Sequence, residues 1–288
     1  MCGDIENYFK KPHQKTGNHQ IRNIDFIYML NLDERPEKFS ITKERFIPYG
    51  IEPYRFSAVN GWKLSLETIN ELGIQYGPWL ASGKMGTCYP IDGDGSPQHE
   101  LIQKPGKTYF SHCMSRGAIG IVLSHLSILQ DAYDSGYNTI WVMEDDVEIL
   151  EDPHILSELI DDLDALVGKD NWDILFTDKD TRNKHGQYVP CTDYARRPNY
   201  SPNDPTRFAR REEISPDFRQ VGARFGAYSM IVRRSGMGKI LNFFKNYQIF
   251  LPFDIDFTQP DDIHLYTVLQ DIVIPWCDAP TDNGSPNY

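Results

Sequence analysis

Residues 24–31, IDFIYMLN, form a nearly continuous run of apolar residues. β-Branched and aromatic side chains dominate this run, which predicts a strand buried on both faces of a sheet. Asp33 then offers an N-cap, and Pro36 suits the first turn of a helix that we expect to reach residue 49. A second short strand is predicted over residues 54–59. A strand, a helix and a strand in this order indicate a βαβ unit.

The same alternation continues along the chain. A long helix is predicted between Ser115 and Gly136, because apolar residues recur there at spacings of three and four. Further strands are predicted over residues 139–143, 172–177 and 226–232, and further helices over residues 153–167, 235–247 (with Ser235 as N-cap) and 260–270. The pattern predicts one α/β domain, residues 24–277, with a Rossmann-like, mostly parallel sheet covered by helices on both faces.

Four segments do not fit this alternation. Residues 1–23 are polar and lack periodicity, so we expect an N-terminal extension that is frayed or loosely packed. Residues 77–110 are dense in Gly, Pro and Asp and are predicted to lie outside the core. Residues 178–220 are too long for an ordinary connection, so they are either disordered or functional. Residues 278–288 are predicted to form a flexible tail.

The charge and the cysteines exclude several classes of protein. The 288 residues include 29 Lys and Arg against 41 Asp and Glu, a net charge of −12 that disfavours nucleic acid as a partner. No apolar stretch is long enough to span a bilayer, and residues 1–23 lack the core of a secretory signal. The five widely spaced cysteines form no C-x-x-C pair, which predicts free thiols and a cytoplasmic location.

The most specific chemical feature is the acid triplet Glu144, Asp145 and Asp146, which directly follows the apolar strand IWVM. Ligands of open α/β sheets bind beyond the carboxyl ends of the strands. If the backbone stays extended, Glu144 and Asp146 point to one side and Asp145 to the other. Two hard oxygen donors on one side suit Mg²⁺ or Mn²⁺ bound to a diphosphate. The alternative is an acidic loop that faces solvent.

Two other features also allow both a functional and a structural interpretation. His125 follows Ser124 on the apolar face of the long helix, where it is either a buried core histidine or part of a site. Asn31 and Arg35 follow the first strand. The guanidinium of Arg35 either pairs with a phosphate or is solvated in the first turn of the following helix.

A group of acids near the C-terminus is the last such feature. Asp254 and Asp256 lie in the stretch LPFDID, and Asp261 and Asp262 follow it. A carboxylate here is either a general base for an acceptor hydroxyl or a turn and N-cap residue. The choice between these roles stays open on the residues alone.

In this order, the motifs resemble those of glycosyltransferase family 25, which includes lipopolysaccharide-type glycosyltransferases and collagen galactosyltransferase domains. The matching segments are YMLNLDERPEK, GIVLSH, VMEDDVEI, and GAYSMIVRRSGMGKIL followed by LPFD. The chain departs from the family pattern at Glu34 and Lys38, where arginine is frequent, at Ile121, where the family has cysteine, and at Glu144, where aspartate is commoner. The resemblance extends over residues 24–256.

The resemblance implies a GT-A fold, in which one Rossmann-like domain binds a nucleotide sugar and an acceptor in adjoining halves. It implies transfer of a hexose, in the first instance galactose, from a uridine diphosphate donor to a hydroxyl of a glycan or other acceptor, with inversion at the anomeric carbon. Mn²⁺ or Mg²⁺ would be bound by Asp146 and Glu144. Acceptor choice is expected to depend on residues 178–220.

The resemblance also implies roles for other residues. Asp254 is the first candidate for the general base, because it matches the family aspartate, and Asp256 is the second. The segment FSAVNG is similar to the family's loop near the nucleotide, so Ala58 and Val59 would contact uracil, although such residues are also ordinary core. The expected donor-binding residues are Asn31, Arg35, Ala58, Val59, Ser124, His125, Glu144 and Asp145.

Two other functions remain open at this point. Nucleotidyl transferases use related sheets and also place acids around a metal-bound diphosphate. Such an enzyme would consume a nucleoside triphosphate and release pyrophosphate. A non-catalytic module on a decayed transferase fold would bind sugar or a partner without metal-dependent turnover, and the intact acid triplet argues against it.

Overall fold

A computed structural model of the protein describes residues 4–12, 14–276 and 278–279. The helices are α1 (Pro36–Phe46), α2 (Leu66–Leu72), α3 (Arg116–Asp134), α4 (Leu156–Val167), α5 (Arg234–Tyr247) and α6 (Phe253–Asp256). The strands are β1 (Phe26–Asn31), β2 (Tyr54–Ser57), β3 (Ile74–Gln75), β4 (Met85–Cys88), β5 (Gln98–Leu101), β6 (Thr108–Ser111), β7 (Thr139–Glu144), β8 (Val147–Ile149), β9 (Ile174–Phe176), β10 (Arg211–Glu213), β11 (Phe218–Val221), β12 (Ser229–Arg233), β13 (Leu265–Val268) and β14 (Val273–Pro275). Nearly all of the predicted tail, residues 280–288, lies outside the described residues.

An eight-stranded sheet forms the centre of the molecule, with the strand order β10-β11-β13-β9-β12-β7-β1-β2. Strands β2 and β7 are both parallel to β1, and β13 is parallel to β9. Strand β12 is antiparallel to both β7 and β9, and β11 is antiparallel to β13 and β10. Six strands therefore run in one direction and two in the other. The predicted α/β fold with a mostly parallel sheet is confirmed.

Helices cover both faces of this sheet, as predicted. Tyr28 and Leu30 of β1 pack in one core with residues of α3 and α5, whereas Ile27 and Met29 pack in a second core with residues of α1 and α4. This alternation along β1 is the expected consequence of side chains pointing to opposite faces of a strand. Ser115 caps α3 by accepting a hydrogen bond from the backbone N–H of Ala118.

The prediction of a frayed N-terminal segment was wrong. Ile5 and Ile21 are buried in the two main cores, and Lys15 forms an ion pair with Asp131 at 2.9 Å. Isolated apolar residues are sufficient to hold a polar segment when each of them enters a core, and such anchors leave no periodic pattern. Residues 1–3 and 13 are not described.

Residues 77–110 also differ from the prediction. Their strands β4, β5 and β6 form a small antiparallel sheet with β3, and Tyr109 and Phe110 are buried. These strands are four residues long and alternate with Gly- and Pro-rich turns, so they are too short to produce a clear period in the sequence. The segment is therefore a folded excursion with its own contribution to the core.

The predicted helix over residues 260–270 was wrong. Residues Leu265–Val268 form β13, whose four side chains are all buried between β9 and β11. A fully buried strand shows no polar alternation, and a short apolar run of this kind cannot be distinguished from a helix by periodicity.

Two predicted N-caps were also wrong, because Arg35 and Arg233 occupy the cap positions of α1 and α5.

Residues 178–220 are ordered by ion pairs rather than by regular structure. The segment contains β10 and most of β11, and its acidic and basic residues pair within it and with its neighbours. These pairs are Asp178–Arg224, Asp180–Arg211, Asp180–Arg219 and Arg182–Asp271.

Among the described residues, the cysteines Cys88, Cys113 and Cys191 are free thiols, and no helix is long and apolar enough to cross a bilayer.

Candidate active site

A cleft opens at the carboxyl ends of β1, β2 and β7. These three strands are parallel neighbours, so the residues that follow them meet at one edge of the sheet. The cleft encloses about 680 Å³, part of it open to solvent. Its lining comprises Leu30, Asn31, Leu32, Lys38, Ala58, Val59, Asn60, Gly61, Trp62, Gly117, Ile121, Ser124, Glu144, Asp145 and Asp146.

The acid triplet lies on one side of this cleft. Strand β7 ends at Glu144, and the chain bends at Asp145 and Asp146 before β8 begins. The bend is fixed by a hydrogen bond from the Thr42 hydroxyl to the Asp145 carbonyl at 2.6 Å, and by one from the Trp276 N–H to the Asp146 carbonyl at 2.6 Å. Because the backbone is not extended here, all three acids line the cleft, and Asp145 does not point away from it.

The position of Asp146 among the other acids affects its protonation. Burial, reinforced by the charges of Glu144 and Asp145, raises the pKa of Asp146 to about 7, while Lys38 opposes the shift. Among the described residues, Lys38 is the only basic side chain that lines the cleft. The lining of the cleft therefore combines three acids with one lysine.

A hard divalent cation fits this donor set if a bound ligand supplies part of its coordination shell. No group of three or more His, Cys, Asp and Glu side chains arranged to hold a metal is found in residues 4–12, 14–276 and 278–279. Carboxylate oxygens suit Mg²⁺ and Mn²⁺, and Mg²⁺ sites commonly combine one or two carboxylates with substrate phosphates. The cleft thus fits a cation whose remaining ligands come from a bound diphosphate.

Asn31 and Arg35 contribute to the framework of the site. Asn31 is buried, and its amide donates to the Asp145 carboxylate at 2.5 Å and to the Arg35 carbonyl at 2.8 Å. Its own side-chain oxygen accepts from Arg55. Asn31 lines the cleft, but the Arg35 side chain does not, and it donates to Glu37 at 2.6 Å. Asn31 therefore orients the acid bend.

The loop that follows β2 lies against helix α3. The Val59 N–H donates to the Ser124 hydroxyl at 2.8 Å, and this hydroxyl donates to the Gly120 carbonyl. A side chain at Gly120 would place its Cβ only 2.5 Å from the Val59 carbonyl oxygen, so glycine is needed for this close approach. The predicted residues Ala58, Val59 and Ser124 are thereby brought together at the cleft.

A second cleft adjoins the first, and Glu144 and Ile121 line both. The second cleft is also lined by Ala118, Gly226, Ala227, Tyr228, Pro252, Phe253 and Asp254. The Asp254 carboxylate accepts a hydrogen bond from the Gly226 N–H at 2.8 Å. Burial, together with the charge of Glu144, raises the pKa of Asp254 above its usual range.

His125 lines neither cleft, but it contacts residues that do. It is almost fully buried, its Nε2 lies 3.2 Å from Oε1 of Glu144, and its ring stacks on Phe253 with 4.4 Å between the centroids. The sequence left a core role and a site role open. The burial of the ring is that of a core residue, and the role in the site stays a prediction. The ring packs in the interior, and its nitrogen contacts an acid of the cleft.

Asp256 lies outside both clefts. Its carboxylate is fully buried, forms an ion pair with Arg197, and accepts from the backbone N–H groups of Phe250 and Leu251. These contacts use the carboxylate to hold the turn before α6. The geometry therefore favours Asp254 over Asp256 as a general base.

The family model for "Glycosyltransferase family 25 (LPS biosynthesis protein)" matches residues 24–258. The chain belongs to glycosyltransferase family 25. A family 25 member from Aedes aegypti is 25% identical over 177 residues, which are 60% of this chain and 23% of that protein. A member from Drosophila melanogaster is 28% identical over 141 residues, 49% of this chain and 19% of that protein. The aligned part of this chain thus spans less than a quarter of these relatives.

Several residues of this family 25 cleft were missed as site residues by sequence reasoning. Lys38 was noted only as a departure from the family pattern. It lies in the first turn of α1, shortly after the carboxyl end of β1, and that position could have indicated a place at the cleft. Asn60 and Trp62 follow the predicted second strand and line the same cleft. Tyr228 and Phe253 line the second cleft and lie in the quoted segments GAYSMIVRRSGMGKIL and LPFD, but nothing in those segments indicated that these two side chains face a cleft.

Proposed function

We propose that the chain transfers a hexose, in the first instance galactose, from a uridine diphosphate donor to a hydroxyl of a glycan or other acceptor, with inversion at the anomeric carbon. The observation that carries this proposal is the pair of adjoining clefts that share Glu144. One cleft holds the acid bend and the other holds Asp254. An inverting transfer needs this separation, because the leaving group and the acceptor occupy opposite sides of the reacting carbon.

The first cleft is proposed to bind the donor. Ala58 and Val59 present an apolar surface for uracil, and the ammonium of Lys38 adds positive charge where the diphosphate would lie. Asp146 and Glu144 would hold Mn²⁺ or Mg²⁺, which supplies neutralisation of the charge that develops on the departing diphosphate. Asn31 keeps Asp145 and the bend in place by its hydrogen bond.

The second cleft is proposed to bind the acceptor. Asp254 would take the proton from the acceptor hydroxyl, with the Gly226 N–H orienting its carboxylate. Its raised pKa suits this role, since a base whose pKa lies closer to the operating pH accepts a proton more readily. Residues 178–220, whose start is ion-paired to the sheet, are proposed to contribute to acceptor choice.

The family description names lipopolysaccharide biosynthesis, and a lipopolysaccharide glycan is a natural first acceptor to test.

A cytoplasmic location is proposed because the three cysteines in the described part of the chain are free thiols, as is usual in a reducing compartment. Nucleic acid is not expected as a partner because of the net charge of −12.

The proposal is tested by measuring nucleoside diphosphate release from a panel of sugar nucleotides, with and without Mn²⁺. We expect release from a uridine diphosphate hexose that requires the metal and increases when acceptor is added. Consumption of a nucleoside triphosphate with release of pyrophosphate would instead identify a nucleotidyl transferase. Sugar binding without any turnover would identify a non-catalytic module.

A further inference from the structure

The N-terminal segment, residues 4–12, lies before the part of the chain that the family model matches, yet it is firmly attached to the domain. Ile5 is 3% exposed and belongs to the core cluster that contains α3 and α5. Glu6 forms an ion pair with Lys245 of α5 at 2.9 Å. These contacts fix the position of the segment, so the side chains that follow have a defined place.

Lys10 extends from this segment to the loop after β2. Its backbone N–H donates to the Ser127 hydroxyl at 3.0 Å, which fixes its main chain on α3. Its ammonium group donates to the Ser57 hydroxyl and to the Ala58 carbonyl, both at 2.7 Å. The Asp33 carboxylate lies 3.9 Å from the same ammonium. One side chain therefore binds the last residue of β2 and the first residue of the loop that follows it.

Other contacts hold this stretch as well. The Ser57 hydroxyl donates to the Asp33 carboxylate at 2.7 Å, and Ala58 and Val59 are buried in the core. The Ala58 N–H donates to the Asn31 carbonyl at 2.9 Å, and the Val59 N–H donates to the Ser124 hydroxyl at 2.8 Å. In these bonds β1 and α3 accept from the N–H groups of Ala58 and Val59. Lys10, which lies outside the sheet, instead donates to a carbonyl and a hydroxyl. Lys10 itself does not line the cleft, so any effect on a ligand is transmitted through the loop.

We propose that Lys10 is a positioning residue of the donor site, which fixes the end of β2 at Ser57 and the start of the loop at Ala58 so that Ala58 and Val59 meet the base of the nucleotide. This inference rests on the proposed function, because it assumes that the nucleotide lies against Ala58 and Val59. A loop that is held in its binding conformation before the ligand arrives loses less entropy on binding. Loss of Lys10 should therefore weaken nucleotide affinity more than it slows transfer.

The test compares Lys10→Met with Lys11→Met. Methionine keeps most of the apolar stem and removes the donors, and Lys11 is an exposed neighbour of the same type. Uridine diphosphate, guanosine diphosphate, cytidine diphosphate and adenosine diphosphate are titrated calorimetrically with Mn²⁺ into the wild-type protein. The variants are then measured with the tightest of these ligands.

We expect Lys10→Met to weaken the Kd about tenfold, ~1.4 kcal/mol, and to raise the donor KM in parallel with little change in kcat. Lys11→Met should bind as the wild type does, and Lys10→Arg should recover part of the loss. If Lys10→Met does not fold, Lys10→Gln takes its place in the same comparison.

Equal Kd values for the Lys10 and Lys11 variants would overturn the inference and leave the proposed function standing. A Lys10 variant that unfolds at a lower temperature but binds nucleotide normally would also overturn it, because the contact would then be merely structural. Failure of the wild-type protein to bind any of the four nucleotides would overturn the proposed donor site, and this inference with it.

Discussion

The imidazole of His125 lies flat on the ring of Phe253, with an angle of 9° between the planes. Phe253 begins the short helix α6, which also carries Asp254, and the Nε2 atom of His125 lies beside Glu144 at the end of β7. One buried side chain thus contacts both Glu144 and the helix that carries Asp254. Its loss should affect both.

Replacement of His125 by Gln is expected to reduce kcat/KM for the donor about tenfold, a loss of ~1.4 kcal/mol in transition-state stabilisation. Glutamine can keep a hydrogen bond to Glu144 but cannot stack on Phe253. The free energy of unfolding should fall by about 1–3 kcal/mol, and donor or Mn²⁺ binding should weaken as well. His154→Gln, at a partly exposed position that lines neither cleft, is the control. A variant that melts early but binds Mn²⁺ and donor as the wild type does would restrict His125 to the core.

Asp146→Asn is expected to abolish turnover with little change in the melting temperature. The substitution preserves volume and removes one charge from a crowded acid site, so the fold should tolerate it while cation binding is lost. Nucleoside diphosphate release is measured at increasing Mn²⁺ concentration, with Asp170→Asn, an exposed acid, as the control. Activity that returns at high Mn²⁺ would show that Asp146 is not an essential ligand.

Asp254→Asn is expected to slow transfer by about 10²–10⁴-fold, the usual contribution of a positioned general base. Donor affinity should remain nearly unchanged, because the carboxylate lies in the second cleft. Single-turnover rates and the Kd for the donor are measured on the same preparation. A collapse of donor affinity in this variant would make Asp254 a binding or structural residue.

The raised pKa of Asp254 also predicts the pH dependence of the reaction. A base must be unprotonated, so the rate should fall as the pH falls through the pKa of this carboxyl group. Because burial raises that pKa, the decline should begin at a higher pH than an ordinary aspartate would give. The profile of kcat against pH is compared between the wild type and Asp254→Asn, whose residual activity should lack this acidic limb.

Asp256→Asn is expected to destabilise the protein by about 3–5 kcal/mol, because it leaves the buried guanidinium of Arg197 without its charge partner. Thermal or denaturant unfolding measures this loss, and Asp254→Asn serves as the matched control on the same helix. A normally stable Asp256 variant without turnover would move the general base from Asp254 to Asp256.

The parts of the fold that sequence predicted are those with strong local signals. The apolar strands that end near Asn31 and Glu144 were correctly predicted, and the acid triplet pointed to a site at the carboxyl end of the second one. Their pairing as neighbours is seen only in the structure. The N-cap at Ser115 and the glycine at Gly136 defined α3 closely, and with it the position of His125. In each case the signal lies within a few residues of the feature it predicts.

The parts that sequence missed depend on contacts between distant segments. The pair of Arg197 and Asp256 is formed across 59 positions of the chain, and neither residue has a local pattern that indicates the other. The buried strand β13 has no polar face, since sheet neighbours and helices enclose it on all sides. Lys10 lies in a segment whose composition suggests a frayed end, and its role emerges only from where the segment packs.

The antiparallel pair of β14 and β8 connects the acid bend to the far end of the chain. The Trp276 N–H that binds the Asp146 carbonyl is supplied immediately after β14, the last strand of the described chain. During synthesis the cleft residues therefore emerge long before the strand that secures Asp146. A chain that ends at residue 258 would keep every acid and lysine of the first cleft but would lack this hydrogen bond to Asp146. The presence of all the cleft residues would therefore not by itself show that the site is correctly folded.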